Sequence, residues 1–370
     1  MQNIIRAAAQ FTLHPVIDVR EYGSGNVNDT YLVSCVDDAA CPDSPFVLQR
    51  INTAVFVHPE QIMVNMRTFS EHVLARMACE NEADNHHHWV MPHVIPARDG
   101  QDFFIDDEGG FWRALSFVNN SRTMNEVRSR DHAREAGYAL GHFHRLISDL
   151  PPEQLHDTLP GFHIAPQYVA QYERAVANPQ AMLDTPEAQH GLRFIEARKG
   201  WAGVLETAKA KGQLQMRPIH GDPKINNIMI EDTTGHAISL IDLDTVKPGL
   251  VHYDIGDCLR SCCNPLGEET EQIDQVCFDT DLCRVILQGY LSEAQEFLTD
   301  QDYAYMYDGI RLISFELGLR FFTDYLNGDV YFKVKDETHN LRRALVQFKV
   351  AESIEAQEGQ IRAIIEDMRP

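Results

Sequence analysis

At 370 residues the chain is too long for one small module and suits a two-lobed unit or a pair of domains. Its 44% hydrophobic and 24% charged residues are enough for a packed core, which excludes wholesale disorder. A formal net charge of −23 disfavours a nucleic-acid partner and docking on anionic membranes.

Along the chain, Val16–Tyr22 and Thr30–Val36 are short β-rich runs flanking Gly23-Ser24-Gly25-Asn26-Val27-Asn28-Asp29, which predicts a hairpin. Phe46–Ile51 reads as a further strand, and Pro59–Met77 carries apolar residues at helical spacing. Gln101–Ile105 and Phe111–Val118 read as strands around a tight turn at Asp106–Gly110. Beyond Asn119 the pattern turns helical: Met124–Ile147, Phe194–Lys211, Glu268–Leu298, Tyr303–Leu326 and Glu337–Met368, with strands only within Gln213–Asp244. The expected fold is α+β, with a β-rich N-lobe over 1–118 carrying one long helix and a mainly helical C-lobe over 119–370.

The eight cysteines follow no regular spacing and include no Cys-x-x-Cys, so free thiols in a reducing compartment are expected. No signal-peptide pattern opens the chain and no run reaches about 18 apolar residues, so the expectation is a soluble cytoplasmic protein. Nothing in the sequence specifies an oligomeric state.

The stretch His220-Gly221-Asp222-Pro223-Lys224-Ile225-Asn226-Asn227 leads into an apolar run, and Leu240-Ile241-Asp242-Leu243-Asp244 closes a second one. An Asp, an Asn five positions on and a later strand-end Asp are the polar skeleton of a kinase centre. Asp222 would orient and deprotonate an attacking hydroxyl, while Asn227 and Asp242 supply the hard oxygen ligands that Mg²⁺ prefers. Lys224, on the same loop, could neutralise a transferred phosphoryl group, and His220 is read as a structural brace. The glycine turn, through Gly23, Gly25 and Asn28, could lay backbone amides over phosphates, although the same residues are ordinary hairpin chemistry. It is neither a Rossmann fingerprint nor a Walker A loop. Asp254 and Asp257 open a helix and are read as caps or loop braces. Only eleven residues lie between Asp242 and Asp254, and there is no Ala-Pro-Glu-like anchor, so the acceptor is expected to be small rather than a peptide.

At these residues the chain resembles the aminoglycoside phosphotransferase / choline kinase superfamily, which has a protein-kinase-like fold. Within it, the runs Gly25–Thr30, Val47–Asn52, Asp222–Asn227, Ile241–Val246, Asp254–Asp257 and Gly318–Leu326 resemble the N-acetylhexosamine 1-kinase branch. The resemblance implies ATP and Mg²⁺ as cofactors, with Asp222 as base facing a sugar hydroxyl and Asn227 and Asp242 on the metal. It places Lys224 on the phosphoryl group and Arg320 on the sugar with Tyr331 beside it. The strand lysine of the kinase pattern is missing; Phe46–Ile51 offers Gln49 and Arg50, and Arg50 could supply the charge. The inter-lobe link around Phe117 and Val118 is where adenine would lie. Arg320, among Phe321, Phe322, Tyr325, Tyr331 and Phe332, could hold a polar substituent while aromatics stack on a sugar face, or could pair with an acid in a core helix. Kinases for aminoglycosides, choline-like amines or homoserine, and a non-catalytic pseudokinase, stand as alternatives. His86, His87, His88 and His93 read as a solvated loop rather than a metal site.

Overall fold

Period-two alternation sorts the N-terminal strands onto two faces. The computed structural model describes residues 2–23, 27–36, 45–79 and 87–370; Gly25, Cys41 and His86 lie outside them. A short helix α1 (Gln2–Ala8) precedes β1 (Val16–Glu21), β2 (Asp29–Cys35) and β3 (Phe46–Ile51). Helix α2 (Pro59–Cys79) follows, then β4 (Val94–Ile95), β5 (Phe104–Ile105) and β6 (Phe111–Ser116). These strands form an antiparallel sheet in the order β1-β2-β3-β6-β4, with β5 on β6. In the β3–β6 register Leu48 faces Ala114 and Arg50 faces Trp112, while Gln49 faces Arg113. Phe46, Leu48, Trp112 and Ala114 pack with α1 in a small outer core. The opposite face, with Ile51 and Phe111, joins α2 and the main core.

The remainder is mainly helical: β7 (Ser121–Arg122), α3 (Arg130–Ile147), α4 (Ala165–Ala177), α5 (Pro186–Arg198) and α6 (Val204–Ala210) come first. Then follow β8 (Arg217–Ile219), β9 (Ile228–Glu231), β10 (Ala237–Leu240), β11 (Lys247–Gly249), α7 (Val251–Cys262) and α8 (Thr280–Ala294). Helices α9 (Asp300–Leu326), α10 (His339–Ala356) and α11 (Glu358–Asp367) complete the chain. Helix α9 is the axis of this lobe; α7, α10 and α4 pack around it, and α3 packs along α8. At the α3–α8 crossing a Cβ on Gly137 would stand 1.9 Å from the Ile286 carbonyl oxygen, so only glycine permits this approach.

Four expected helices are shorter or divided. Ser129 caps α3 by accepting the His132 amide, so the helix starts at Arg130 rather than Met124. Asp279 caps α8, so 268–279 is not α-helical and holds only a 3-10 turn at Ile273–Gln275. A 3-10 turn at Lys199–Trp201 separates α5 from α6, and the last helix divides between Ala356 and Glu358. Helix α4 went unread, because its outer surface is polar and its buried contacts are few. The lobes are joined by buried polar contacts: Asn65 of α2 donates to the carbonyls of His156 (2.8 Å) and Val246 (2.9 Å) and accepts the His156 amide (2.8 Å). The six described cysteines other than Cys35 are free thiols. No helix among the described residues is long and apolar enough to cross a membrane.

Candidate active site

The loop after β8 carries Asp222, and its shape is fixed from below. Asp254 of α7 is fully buried, and its carboxylate accepts the amides of His220 (2.7 Å) and Gly221 (2.8 Å) and the His144 Nε2 (2.8 Å). Burial alone would raise its pKa, but the His144 hydrogen bond and neighbouring charge hold it below the ordinary carboxylate value. Asp254 is thus the brace anticipated, while α7 has no side-chain cap. Gly221 sits at φ +88° with the Thr245 carbonyl 2.7 Å from where a Cβ would project, so the turn requires glycine. His220 is also buried: its Nδ1 accepts the Asp222 amide (3.2 Å) and its Nε2 donates to the Ile241 carbonyl (3.1 Å). That pattern, with burial lowering its pKa, keeps the ring neutral and occupied at both nitrogens.

Asp222 projects from this loop with its side chain a quarter exposed. Lys224 Nζ donates to its Oδ2 at 2.6 Å, and Asn227 Nδ2 donates to its main-chain oxygen at 2.8 Å and to Oδ2 at 3.2 Å. Burial works against the Lys224 ammonium, yet Asp222 and Asp242 outweigh it and hold its pKa above the ordinary lysine value. The β9–β10 hairpin brings the other acid alongside. Leu240 pairs with Ile228, and the Ile241 amide donates to the Asn227 carbonyl at 2.9 Å, so Asn227 and Asp242 flank one hairpin base.

Asp242 adopts a left-handed backbone (φ 63°), and its carboxylate makes no hydrogen bond or ion pair with any described residue. It opens to solvent in a cleft walled by protein. Burial in that cleft, with Asp244 and Asp222 nearby, pushes its pKa up to about 6 against the opposing pull of Lys224. The Asn227 amide nitrogen is engaged by Asp222, and its Oδ1 makes no hydrogen bond with a described residue. Asn227 and Asp242 thus bring two hard oxygen donors to the base of one hairpin, a donor chemistry that fits a divalent ion such as Mg²⁺.

The N-lobe's share differs from expectation at Arg50. Alternation turns its exposed side chain onto the α1 face, where it lies over Trp112 at 5.9 Å, away from the cleft. The cation on the cleft face is Arg113, which sequence reasoning missed because it lies on β6 rather than β3. Its Nε and Nη2 donate to Gln49 Oε1 (2.9 and 2.6 Å), and Nη2 pairs with Asp244. Asn28 also reaches Asp244, donating to Oδ2 at 2.7 Å, while its Oδ1 accepts the Asn52 amide at 2.9 Å. Its side chain is thus spent on fixing the turn. Gly23 has φ +78°. Phe117 meets Tyr22 edge-on at 5.7 Å, and Val118 packs with Met229, Ile238 and Ile241 into an apolar patch leading to Asp242.

Arg320 of α9 faces the same cleft, near enough for the Asp222 charge to act on it. It makes no hydrogen bond or ion pair with a described residue. Its guanidinium lies instead among four rings: Phe162 (5.0 Å), Tyr168 (5.2 Å), Phe332 (5.5 Å) and Tyr331 (6.0 Å). Asp324 holds two of these rings in place, accepting the amides of Val330, Tyr331 and Phe332 at 2.9–3.0 Å. Its one signal in the sequence is its place one helical turn after Arg320. Asp257, paired with Arg260, keeps one buried oxygen (Oδ2) without a partner, and burial raises its pKa.

Residues 18–275 match the model of the phosphotransferase enzyme family, more than half of the chain. The chain belongs to the phosphotransferase enzyme family. Solved structures share the family fold at low identity. A choline kinase from Cryptosporidium parvum Iowa II matches with TM-score 0.60 and 14% identity, over 99% of this chain and 98% of that one. The GDP complex of aminoglycoside 2'-phosphotransferase-IIIa gives TM-score 0.58 and 15% identity over 94% and 97%. A microcompartment-associated aminopropanol kinase gives 0.55 and 14% over 98% of both chains. These likenesses carry the two-lobed, protein-kinase-like fold of this phosphotransferase; the acceptor has to be read from its own cleft.

Proposed function

We propose that this phosphotransferase is a small-molecule kinase that moves the γ-phosphoryl group of ATP to a sugar hydroxyl, the anomeric hydroxyl of N-acetylglucosamine or N-acetylgalactosamine. Nucleotide would lie between the lobes, with adenine against Val118, Met229 and Ile238. Asn227 and Asp242 would hold Mg²⁺, which neutralises phosphate charge when bound. Asp222 aligns the acceptor hydroxyl and takes its proton at a carboxylate oxygen. Lys224, hydrogen-bonded to Asp222, contributes positive charge where the phosphoryl group passes.

The acceptor reading rests on Arg320. A guanidinium that makes no ion pair with a described residue, framed by aromatic rings, repels a cationic amine and offers up to five N–H donors to an acyl oxygen or hydroxyls. Aromatic faces beside it suit the C–H face of a pyranose. This disfavours choline-like and aminoglycoside acceptors despite the acidic total charge, because net charge does not locate a pocket.

The test is ADP release with ATP and Mg²⁺ across N-acetylglucosamine, N-acetylgalactosamine, glucose, galactose, choline, homoserine and kanamycin. Turnover on an N-acetylhexosamine with a 1-phosphate product is expected. Turnover confined to an amine or to homoserine would leave the Asp222 chemistry standing and overturn the Arg320 reading.

A further inference from the structure

On the side of the molecule where the α2–β4 connection crosses onto the C-lobe, three chain segments bring together His87, Glu135 and His236. His87 belongs to that connection, Glu135 to the second turn of α3, and His236 to the turn of the β9–β10 hairpin. Their ligand atoms all lie within 4.8 Å of one another. His87 Nε2 stands 3.2 Å from Glu135 Oε2, and the two side chains are only 17% and 14% exposed. The histidine expected in a solvated loop is therefore packed.

The surroundings fix these three groups. The His87 ring stacks on Tyr138 at 3.9 Å and leans on the His236 ring at 4.3 Å. The Ala237 amide donates to Glu135 Oε2 at 2.7 Å, orienting the carboxylate and tying it to the residue after His236. One side opens into a cavity of about 300 Å³ lined in part by His87, Glu135, Tyr138 and Ser292, where a water molecule has room. Arg134, the cation on that wall, reaches Gln288 at 3.5 Å.

We propose that His87, Glu135 and His236 bind a divalent ion of the zinc type, with water as fourth ligand. Two imidazoles and one carboxylate suit Zn²⁺ better than the hard ions that prefer all-oxygen sites. Zinc bonds of about 2.0–2.2 Å set tetrahedral ligand atoms roughly 3.4 Å apart, so modest side-chain rotation closes the observed triangle. The role is structural. The segment after His87 already docks on the hairpin, with the Val90 amide donating to the Ile238 carbonyl at 2.7 Å. The ion would staple the same segment to the turn of the hairpin whose base carries Asn227 and Asp242. The four-residue strands β9 and β10 separate the two ends by roughly 13 Å, so the staple steadies the hairpin without entering the reaction.

The experiment uses the full chain freed of metal with a chelator in Mg²⁺-free buffer, then titrated with ZnCl₂. Bound zinc is measured after desalting, alongside thermal unfolding, for wild type, His87→Gln, His236→Gln and Glu135→Gln. Expected is one more zinc equivalent in wild type than in each variant, and a zinc-dependent rise of roughly 5 °C that each variant loses. Co²⁺ should give visible ligand-field absorption in wild type that the variants lack. Glu135→Gln keeps an oxygen for the Ala237 amide and carries the comparison if a histidine variant does not fold. Equal zinc content in wild type and variants, or no zinc-dependent rise in wild type, overturns the proposal.

Discussion

Arg113 of the N-lobe sheet and Asp244, two residues past Asp242, form an ion pair with both side chains almost wholly removed from solvent, 1% and 2% exposed. It ties the N-lobe sheet to the 3-10 turn that follows Asp242, and its fork also holds Gln49, the β3 neighbour of Arg113. The guanidinium is committed to protein acceptors, so it sets the position of the 242–244 turn rather than touching nucleotide. Where kinases place a lysine on the third strand, this chain places the charge one strand over.

Removing one partner leaves a buried charge unpaired. Arg113→Met is therefore expected to lower stability by about 3–5 kcal/mol, and Asp244→Asn by a similar or somewhat smaller amount because Asn28 still has an acceptor. The double variant should be destabilised by clearly less than the sum, since neither partner is then left charged and alone. Urea unfolding of the four proteins measures this; strict additivity would mean that the pair contributes nothing as a pair.

Asp222→Asn keeps the shape of the loop, because Asp254 and His220 hold the backbone independently of that carboxylate. Folding should be preserved, with turnover lost by roughly 10²-fold or more and little change in nucleotide affinity. Steady-state kinetics and nucleotide titration separate the two. Near-normal turnover removes Asp222 from the reaction.

Arg320→Ala should raise KM for an N-acetylhexosamine by roughly 10–100-fold, the worth of one or two hydrogen bonds to a charged donor, while nucleotide binding stays intact. Asp324→Ala should move KM in the same direction by freeing the Tyr331–Phe332 segment. Improved use of choline by Arg320→Ala, with no effect on sugars, would reverse the assignment of this pocket.

Much of this was legible in the sequence because local chemistry carried it. The strand Phe46–Ile51 and most of the two long helices, expected over Pro59–Met77 and Tyr303–Leu326 and found over Pro59–Cys79 and Asp300–Leu326, follow from apolar periodicity, while spacing singled out Asp222, Asn227 and Asp242 as candidates on loops that end strands. What escaped depends on pairs distant in the chain. Arg113 and Asp244 are 131 positions apart, and nothing local distinguishes Arg113 from any other strand arginine. Arg50 was the natural substitute for the missing lysine by position, but one step of strand alternation turns it to the wrong face. His163, Asp324 and Glu135 act through neighbours on other elements, and their sequence surroundings are silent about those partners. Helix starts were misplaced where a single capping oxygen, Ser129 or Asp279, ended a polar run that still looked periodic.

His163 supplies a pH test that does not pass through the proposed metal ligands. Its buried ring donates from Nδ1 to Glu316 Oε1 at 3.0 Å and from Nε2 to the Gly221 carbonyl at 2.6 Å, so the observed geometry needs the imidazolium. Burial opposes that charge, but Glu316 and the Gly221 carbonyl outweigh it, and its pKa lies above the ordinary 6.5. A histidine with a raised folded pKa contributes its full stability below about pH 6.5 and loses it as pH climbs through the higher folded value. His163→Gln can replace only one of the two donated bonds. The stability gap between wild type and His163→Gln should therefore be widest below about pH 6.5 and shrink as the pH rises above it, measured by urea unfolding at several pH values. Because the Gly221 carbonyl is one of the two partners, kcat should fall in the variant while KM for nucleotide holds. A gap that is constant across this range would mean that the ring is neutral in the folded protein and donates only one of these bonds.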